Sequence, residues 1–339
     1  MTQNTKVLGI DTSCDDTAMA LLEAEKFGFR IISNVVSSQV KIHQQYGGVY
    51  PFLAKREHQK NLPIVFKKVL QQAKSKTFDM IGVTVGPGLE PCLWQGINFA
   101  KEIAVKHKKS LITINHIEAH ILANFIERKS TAIKLPAVCL VVSGGHTTLF
   151  LMKKIGRYEL IGETLDDAAG EALDKIARIL GLGYPGGPAI AAEAKKYKGS
   201  TSVFLPRPMM RQKNYNFSFS GLKTAVLYKC KARDLNAEFI QAMCAEAQQA
   251  VIDVLLHKTL KAARDYKVKT VMLGGGVVAN EALRKQFGEK LQAENFAFIV
   301  PSKEFCTDNG AMIAAAAYFH RKDKKNLFKN IAAQGNLAI

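Results

Sequence analysis

Two histidines four residues apart, His116 and His120, stand where an apolar run, Leu111 to Asn115, passes into an amphipathic stretch. Residues four apart lie one above the other on a helix, so both imidazoles face one point at the helix entrance, the spacing of a metal-ligand pair. Two ligands do not complete a site. The best third candidate is Asp308, far along the chain in Phe305-Cys306-Thr307-Asp308-Asn309-Gly310, a turn just before a predicted small-residue helix at Ala311 to Ala317. Two histidines and a carboxylate suit iron or zinc with positions left open for substrate. Glu118 lies between the histidines but about 200° around the helix from each, so it points away from the metal. Asn115 as N-cap with Glu118 three residues on has the spacing of a capping box. The zinc-protease pattern H-E-x-x-H is absent, and the plain alternative is two histidines opening an ordinary helix.

Other chemistry-bearing residues sit in turns. Asp11-Thr12-Ser13-Cys14-Asp15-Asp16 joins two apolar runs as a hairpin turn. Its hydroxyls and N–H groups suit a phosphate or only solvent, while Asp11 could hold a cation or a water and is the candidate catalytic carboxylate. Ser143-Gly144-Gly145-His146-Thr147 repeats that strand, turn, strand pattern later in the chain, an internal duplication that predicts two facing lobes. Gly86-Pro87-Gly88 is tight enough for something to approach its backbone, and Gly274-Gly275-Gly276 opens a surface on which a purine could lie flat. The Pro/Gly loop at 183–188 and the polar-aromatic loop at 217–224 read as functional loops. Asp174, on a capped helix beginning near Asp166, otherwise reads as part of a salt bridge on a solvated face.

The elements that position these turns form an α/β pattern. Strands are predicted at 7–10, 17–22, 31–37, 81–85, 111–115, 135–142, 148–152 and 270–273, and helices at 54–73, 96–106 and from 116. The chain has 339 residues, 47% of them hydrophobic, enough for two domains with real cores. No apolar run approaches a membrane span of roughly 20 residues and the N-terminus carries no signal-peptide core, so a soluble cytoplasmic protein is expected. Six cysteines without C-x-x-C pairs read as reduced thiols. The net charge of +18 favours a polyanionic partner such as nucleic acid, with clusters at 101–109, 207–213 and 321–329; a lysine-rich background is the alternative.

Taken together, the motifs resemble the TsaD family of tRNA adenosine N6-threonylcarbamoyltransferases over nearly the whole chain. The resemblance is carried by Ile-Asp-Thr-Ser-Cys-Asp-Asp-Thr at 10–17, Val-Ser-Gly-Gly-His-Thr at 142–147 and Asp-Asp-Ala-Ala-Gly-Glu-Ala at 166–172. Tyr-Pro-Gly-Gly-Pro at 184–188, Phe-Ser-Phe-Ser-Gly-Leu-Lys-Thr at 217–224 and Phe-Cys-Thr-Asp-Asn-Gly-Ala-Met-Ile-Ala at 305–314 complete it. It implies the duplicated, two-lobed actin-like, Hsp70-like and sugar-kinase-like ATPase fold with an interlobe cleft. The expected lobes are 1–115 with 310–339, and 116–309 carrying the metal and adenylate residues.

The implied activity is transfer of the threonylcarbamoyl group from threonylcarbamoyl-AMP to N6 of adenosine 37 in tRNAs reading ANN codons. One divalent metal per subunit, Fe2+ or alternatively Zn2+, would be held by His116, His120 and Asp308. The adenylate would be held by Val141, Val142, Ser143, Gly144, Gly145, Asp174, Gly187 and Asn280, and bacterial members work with TsaB and TsaE. The chain departs from the family pattern at Asp11 and Asp16, where Glu is usual, and at Asn115, where a third His is common. It departs again at Glu90-Pro91-Cys92-Leu-Trp94, which replaces small residues, and at Phe52, which replaces a frequent Glu. A catalytically silent scaffold of a tRNA-modification complex and an ATPase or sugar kinase of the same fold are the rival readings.

Overall fold

Aliphatic residues dominate the first strand, β1 (Thr5–Asp11), and its last five residues are buried. The chain reverses through Thr12 to Asp15 into β2 (Asp16–Ala24), where Asp11 pairs with Ala18, and β3 (Phe29–Ser38) completes an antiparallel meander. Eight consecutive residues of β2 are buried, as expected of a strand covered on both faces. This computed structural model describes all residues except 1–3, 27, 76, 129–131, 200–202, 232–234 and 324–329. The predicted basic cluster at 321–329 therefore lies largely outside the described residues.

After a single turn, α1 (Val40–His43), comes α2 (Pro51–Gln72), which opens on Pro51, where a missing N–H is no loss. Its buried Ala54, His58, Leu62, Val65 and Val69 recur three or four apart and make one stripe against the sheet. Strand β4 (Met80–Gly86) pairs parallel with β1, α3 (Glu90–His107) follows, and β5 (Ser110–Asn115) pairs parallel with β4. The resulting order is β3-β2-β1-β4-β5. Helix α4 (His116–Leu122) starts directly from the end of β5.

The second sheet repeats this plan. Strands β6 (Ala137–Val142), β7 (Thr147–Lys154) and β8 (Arg157–Glu163) form a second meander. Four helices follow: α5 (Ala169–Ile179), α6 (Gly186–Lys196), α7 (Ser220–Lys231) and α8 (Ala237–Asp265). Strand β9 (Thr270–Gly274) pairs parallel with β6, and after α9 (Glu281–Ala293), β10 (Ala297–Ile299) pairs parallel with β9. The order β8-β7-β6-β9-β10 matches β3-β2-β1-β4-β5 strand for strand, so the duplication seen in the turns extends to whole sheets. Strand β8 is not among the predicted strands: it is mostly exposed, and its polar–apolar alternation spans only Arg157 to Leu160. Helix α8 is long and apolar enough to cross a membrane by length and composition, which the expectation of no such run overlooked; 61% of its apolar window is buried.

The chain then returns to the first sheet through α10 (Gly310–Phe319), in which Gly310 to Ala317 are all buried. The small residues have a steric purpose. A Cβ on Gly9 would stand 2.1 Å from the Gly310 carbonyl oxygen, and one on Gly310 would stand 2.2 Å from the Ala20 nitrogen. Helix and strand backbones thus touch directly, which sets Asp308 at the end of β1. The compact units are Met1–Ile133 with Pro301–Ile339, and Lys134–Val300. Relative to the expected division, α4 and the Asp308 turn belong to the first unit, because α4 packs on β5 and α10.

Candidate functional site

In the first unit, the parallel strands β1, β4 and β5 all end on the same edge, where ligands of open α/β sheets bind. At this edge Asn115 caps α4, its side-chain oxygen accepting the N–H groups of Ile117 (2.9 Å) and Glu118 (3.1 Å). Asn309 caps α10 by accepting the Met312 N–H, and it donates to the Thr307 carbonyl, bracketing Asp308. The three predicted ligands converge. His116 Nε2 and His120 Nε2 lie 3.4 Å and 3.2 Å from Asp308 Oδ1, and one candidate ligand atom from each residue falls within 4.8 Å of the others.

The electrostatics show a site that calls for a cation. Both nitrogens of His120, Nδ1 of His116 and Oδ1 of Asp11 are buried without a hydrogen-bond partner, unusual for polar atoms in an interior. Burial lowers the pKa of His116, but the charges of Asp308 and Asp11 outweigh it and push the ring up to about 10. Burial likewise raises Asp308, yet the charges of His116 and then His120 beside it hold it well below the usual carboxylate range. A divalent cation supplies the same neutralising charge, so proton and metal compete for these groups. Asp16 is pushed up to about 7, first by burial and then by Asp308.

Asp11 stands behind the cluster. Its Oδ2 lies 3.6 Å from His116 Nδ1, and the Ser13 hydroxyl reaches both Asp11 Oδ2 (3.2 Å) and Asp308 Oδ2 (3.4 Å). Ser13, in a turn read from the sequence as suiting either a phosphate or only solvent, thus bridges two carboxylates. The turn is pinned from below: the Thr12 hydroxyl donates to the Cys92 carbonyl and accepts the Gly96 N–H. His58, kept below its ordinary pKa by burial, bonds the Cys14 carbonyl and the Thr17 hydroxyl. What approaches the Gly86-Pro87-Gly88 turn is the protein itself, since Cβ atoms there would stand 2.0 Å from the Gln334 oxygen and 2.5 Å from the Ser13 oxygen.

Two departures from the family pattern share one explanation. Glu90 Oε1 accepts the Gly335 N–H, and Asn115 Nδ2 donates to the carbonyls of Leu337 and Ala338. Both bind the C-terminal segment, which also bonds Val85 and Gly88 and so lies along the entrance to α4. Glu118 points away from the metal residues as expected, but it does not complete a capping box. Its carboxylate instead pairs with His320 Nε2 at 3.0 Å.

In the second unit, the Ser143 turn leaves the end of β6 and is closed by Ser143 and His146, with Gly144 and Gly145 projecting into open space. Gly170 of α5 packs on the Ser143 carbonyl and Gly275 on that of Val142, so Gly275 is demanded by the protein's own backbone. Asp174 accepts the Gly186 N–H at 2.7 Å and so positions the start of α6; the predicted 183–188 loop is half helix. A Cβ on Gly187 would meet nothing. Asn280 caps α9 through Leu283 and donates to Gln248. Helix α5 has no side-chain cap; Asp166 instead binds Ser218, Phe219 and Ser220, anchoring the 217–220 segment.

The TsaD family model, described as tRNA N6-adenosine threonylcarbamoyltransferase, matches residues 30–315. The chain belongs to this family. A tRNA N6-adenosine threonylcarbamoyltransferase of Thermosipho melanesiensis is 51% identical over 335 residues, 98% of this chain and 99% of that protein. One of Syntrophomonas wolfei is 45% identical, covering 94% of each chain. The crystal structure of HypF of T. kodakarensis aligns with a TM-score of 0.60 at 15% identity. It covers 93% of this chain, which spans 47% of that HypF, and supports the fold alone: the actin-like ATPase type. In this family member the charge cluster at 207–213 is divided: Arg207 is tied to Glu246 and Asp253, while Arg211 and Lys213 are exposed.

Proposed function

We propose that this family member transfers the threonylcarbamoyl group from threonylcarbamoyl-AMP to N6 of adenosine 37 in tRNAs reading ANN codons, forming t6A. It acts in the cytoplasm with TsaB-like and TsaE-like partners. The observation that carries the reading is the convergence of His116, His120 and Asp308, with orphaned imidazole nitrogens, on the edge where three parallel strands end. The donor set suits Fe2+, with Zn2+ the alternative, one ion per subunit. When bound, the ion supplies Lewis-acid polarisation of the carbamoyl carbonyl.

The chain's own residues do the rest. Asp308 and the two imidazoles hold the ion, and Asp11 and Ser13 orient that shell from behind. Ser143 to Gly145 offer the adenylate backbone N–H groups and a surface free of side chains, beside Val141, Val142 and Gly187, with Asp174 and Asn280 shaping the neighbouring turns. The attacking amine must lose a proton as the new C–N bond forms and AMP leaves. The test is incubation with threonylcarbamoyl-AMP, an ANN-decoding tRNA and the candidate partners, followed by nucleoside analysis. Appearance of t6A supports transfer; its absence with intact tRNA binding supports the silent scaffold.

A further inference from the structure

Three large aromatic side chains stand in water within one short stretch: Tyr46, Tyr50 and Phe52 are 56%, 53% and 69% exposed. The rings of Tyr46 and Tyr50 stack at 5.8 Å between centroids, inclined by 29°. Their backbone is held firmly. The Tyr50 N–H donates to Nδ1 of buried His43, whose Nε2 bonds Gln39, and Gln39 donates to the Ala54 carbonyl. The surroundings are basic: Lys41 and Arg56 are exposed and Lys55 is half-buried, and among the described residues none of the three forms an ion pair. The nearby acid, Glu57, is already paired with Lys60.

Helix α2 connects this surface to the turn beside the metal residues. Helix α2 carries Phe52 near its start and His58 farther on, roughly 9 Å along the axis at 1.5 Å per residue. His58 grips the Cys14 carbonyl at 3.0 Å, and the adjacent Ser13 hydroxyl reaches Asp308 at 3.4 Å. An apolar patch in a charged rim marks an interaction surface. Aromatic faces flanked by cations match unpaired nucleobases, which stack on the rings while their phosphates meet the basic side chains. The cations Lys41, Lys55 and Arg56, none in an ion pair among the described residues, favour a polyanionic partner.

We propose that Tyr46, Tyr50 and Phe52, rimmed by Lys41, Lys55 and Arg56, form a stacking platform for unpaired RNA bases flanking the target adenosine. The inference rests on the tRNA reading above. The test compares the wild type, a Tyr46→Ala/Tyr50→Ala/Phe52→Ala variant and a conservative Tyr46→Phe/Tyr50→Phe/Phe52→Tyr variant, all full length, with metal content as the control for folding. The probes are an anticodon stem-loop of an ANN-decoding tRNA carrying 2-aminopurine beside the target adenosine, and a blunt RNA duplex of equal length. The alanine variant should bind the stem-loop about tenfold or more weakly and lose the quenching of 2-aminopurine. Duplex binding, which reads phosphates, should not change, and the conservative variant should behave as wild type. Unchanged stem-loop affinity, or equal loss on both RNAs, overturns the platform, as does unchanged RNA binding with loss of a partner protein from the assembly. In each of these cases wild type that still forms t6A leaves the functional reading standing. Wild type that neither binds nor modifies RNA overturns both.

Discussion

Asp11 Oδ2 lies 3.6 Å from His116 Nδ1, while the other nitrogen of that ring, Nε2, faces Asp308 Oδ1 at 3.4 Å. The contact is longer than a hydrogen bond, but the carboxylate charge beside Nδ1 favours the tautomer with its proton there, leaving Nε2 for the ion. Asp11 is therefore placed to position His116. Asp11→Asn should lower metal affinity by about 10–100-fold in competition with a chelator, and Asp11→Glu should recover part of it. Unaltered affinity in Asp11→Asn would exclude the role.

His116→Ala, His120→Ala and Asp308→Ala should each lose more metal affinity than Asp11→Asn, because they remove a donor atom and not its support. Transfer activity should fall with metal content, while circular dichroism stays that of the wild type. Full metal occupancy in all three variants would remove the site.

Gly187 offers a separation of stability from binding. It lies in the first turn of α6 with open space where a Cβ would stand. Gly187→Ala should raise stability by up to about 1 kcal/mol through helix propensity, seen as a higher melting temperature. Affinity for threonylcarbamoyl-AMP, measured by calorimetry, should fall, as it should for Gly144→Val. Nucleotide affinity equal to wild type in both would move the adenylate elsewhere.

Arg207 and its basic neighbours should behave differently. The Arg207 guanidinium sits between Glu246, which is buried, and Asp253. Arg207→Ala should destabilise by about 2–3 kcal/mol in urea, somewhat less than for a fully buried pair. Arg211→Glu with Lys213→Glu should leave stability within about 0.5 kcal/mol. That pair should weaken tRNA binding, lowering the salt slope by about 0.7–0.9 per lost phosphate contact. A nearly flat salt dependence in wild type would show that the net charge of +18 is background.

His320 provides a pH signature. The hydrogen bond that the ring donates to Glu118, helped by the Glu118 charge and by Asp323, outweighs burial and raises the ring to about 9. The folded pKa lies above the unfolded value of about 6.5, so the stabilisation is complete below about pH 6.5 and disappears as pH rises through about 9. The shift bounds the effect at about 3 kcal/mol, and partial exposure reduces it to about 1–2 kcal/mol. Denaturation midpoints of wild type should fall over this window, and those of His320→Gln should not. Parallel pH profiles for the two proteins would rule out the contribution.

Much of the site was legible from residue types and local spacing. The histidine pair follows from helical periodicity, the cap at Asn115 from its place before α4, and the repeated meanders from two similar turns between apolar strands. Each is a local property, decided by residues within a turn or two of one another. Asp308 could be nominated from its turn, but only the packing of α10 on β1 and β2, made possible by Gly9 and Gly310, brings it to His116 and His120. The Ser13 bridge, the Glu118–His320 pair and the hold of Glu90 and Asn115 on the C-terminal segment were not legible. Neither was the diversion of Arg207 to acidic partners. Their members lie far apart in sequence, and which distant side chains meet is decided when burial of the core fixes the register of strands and helices.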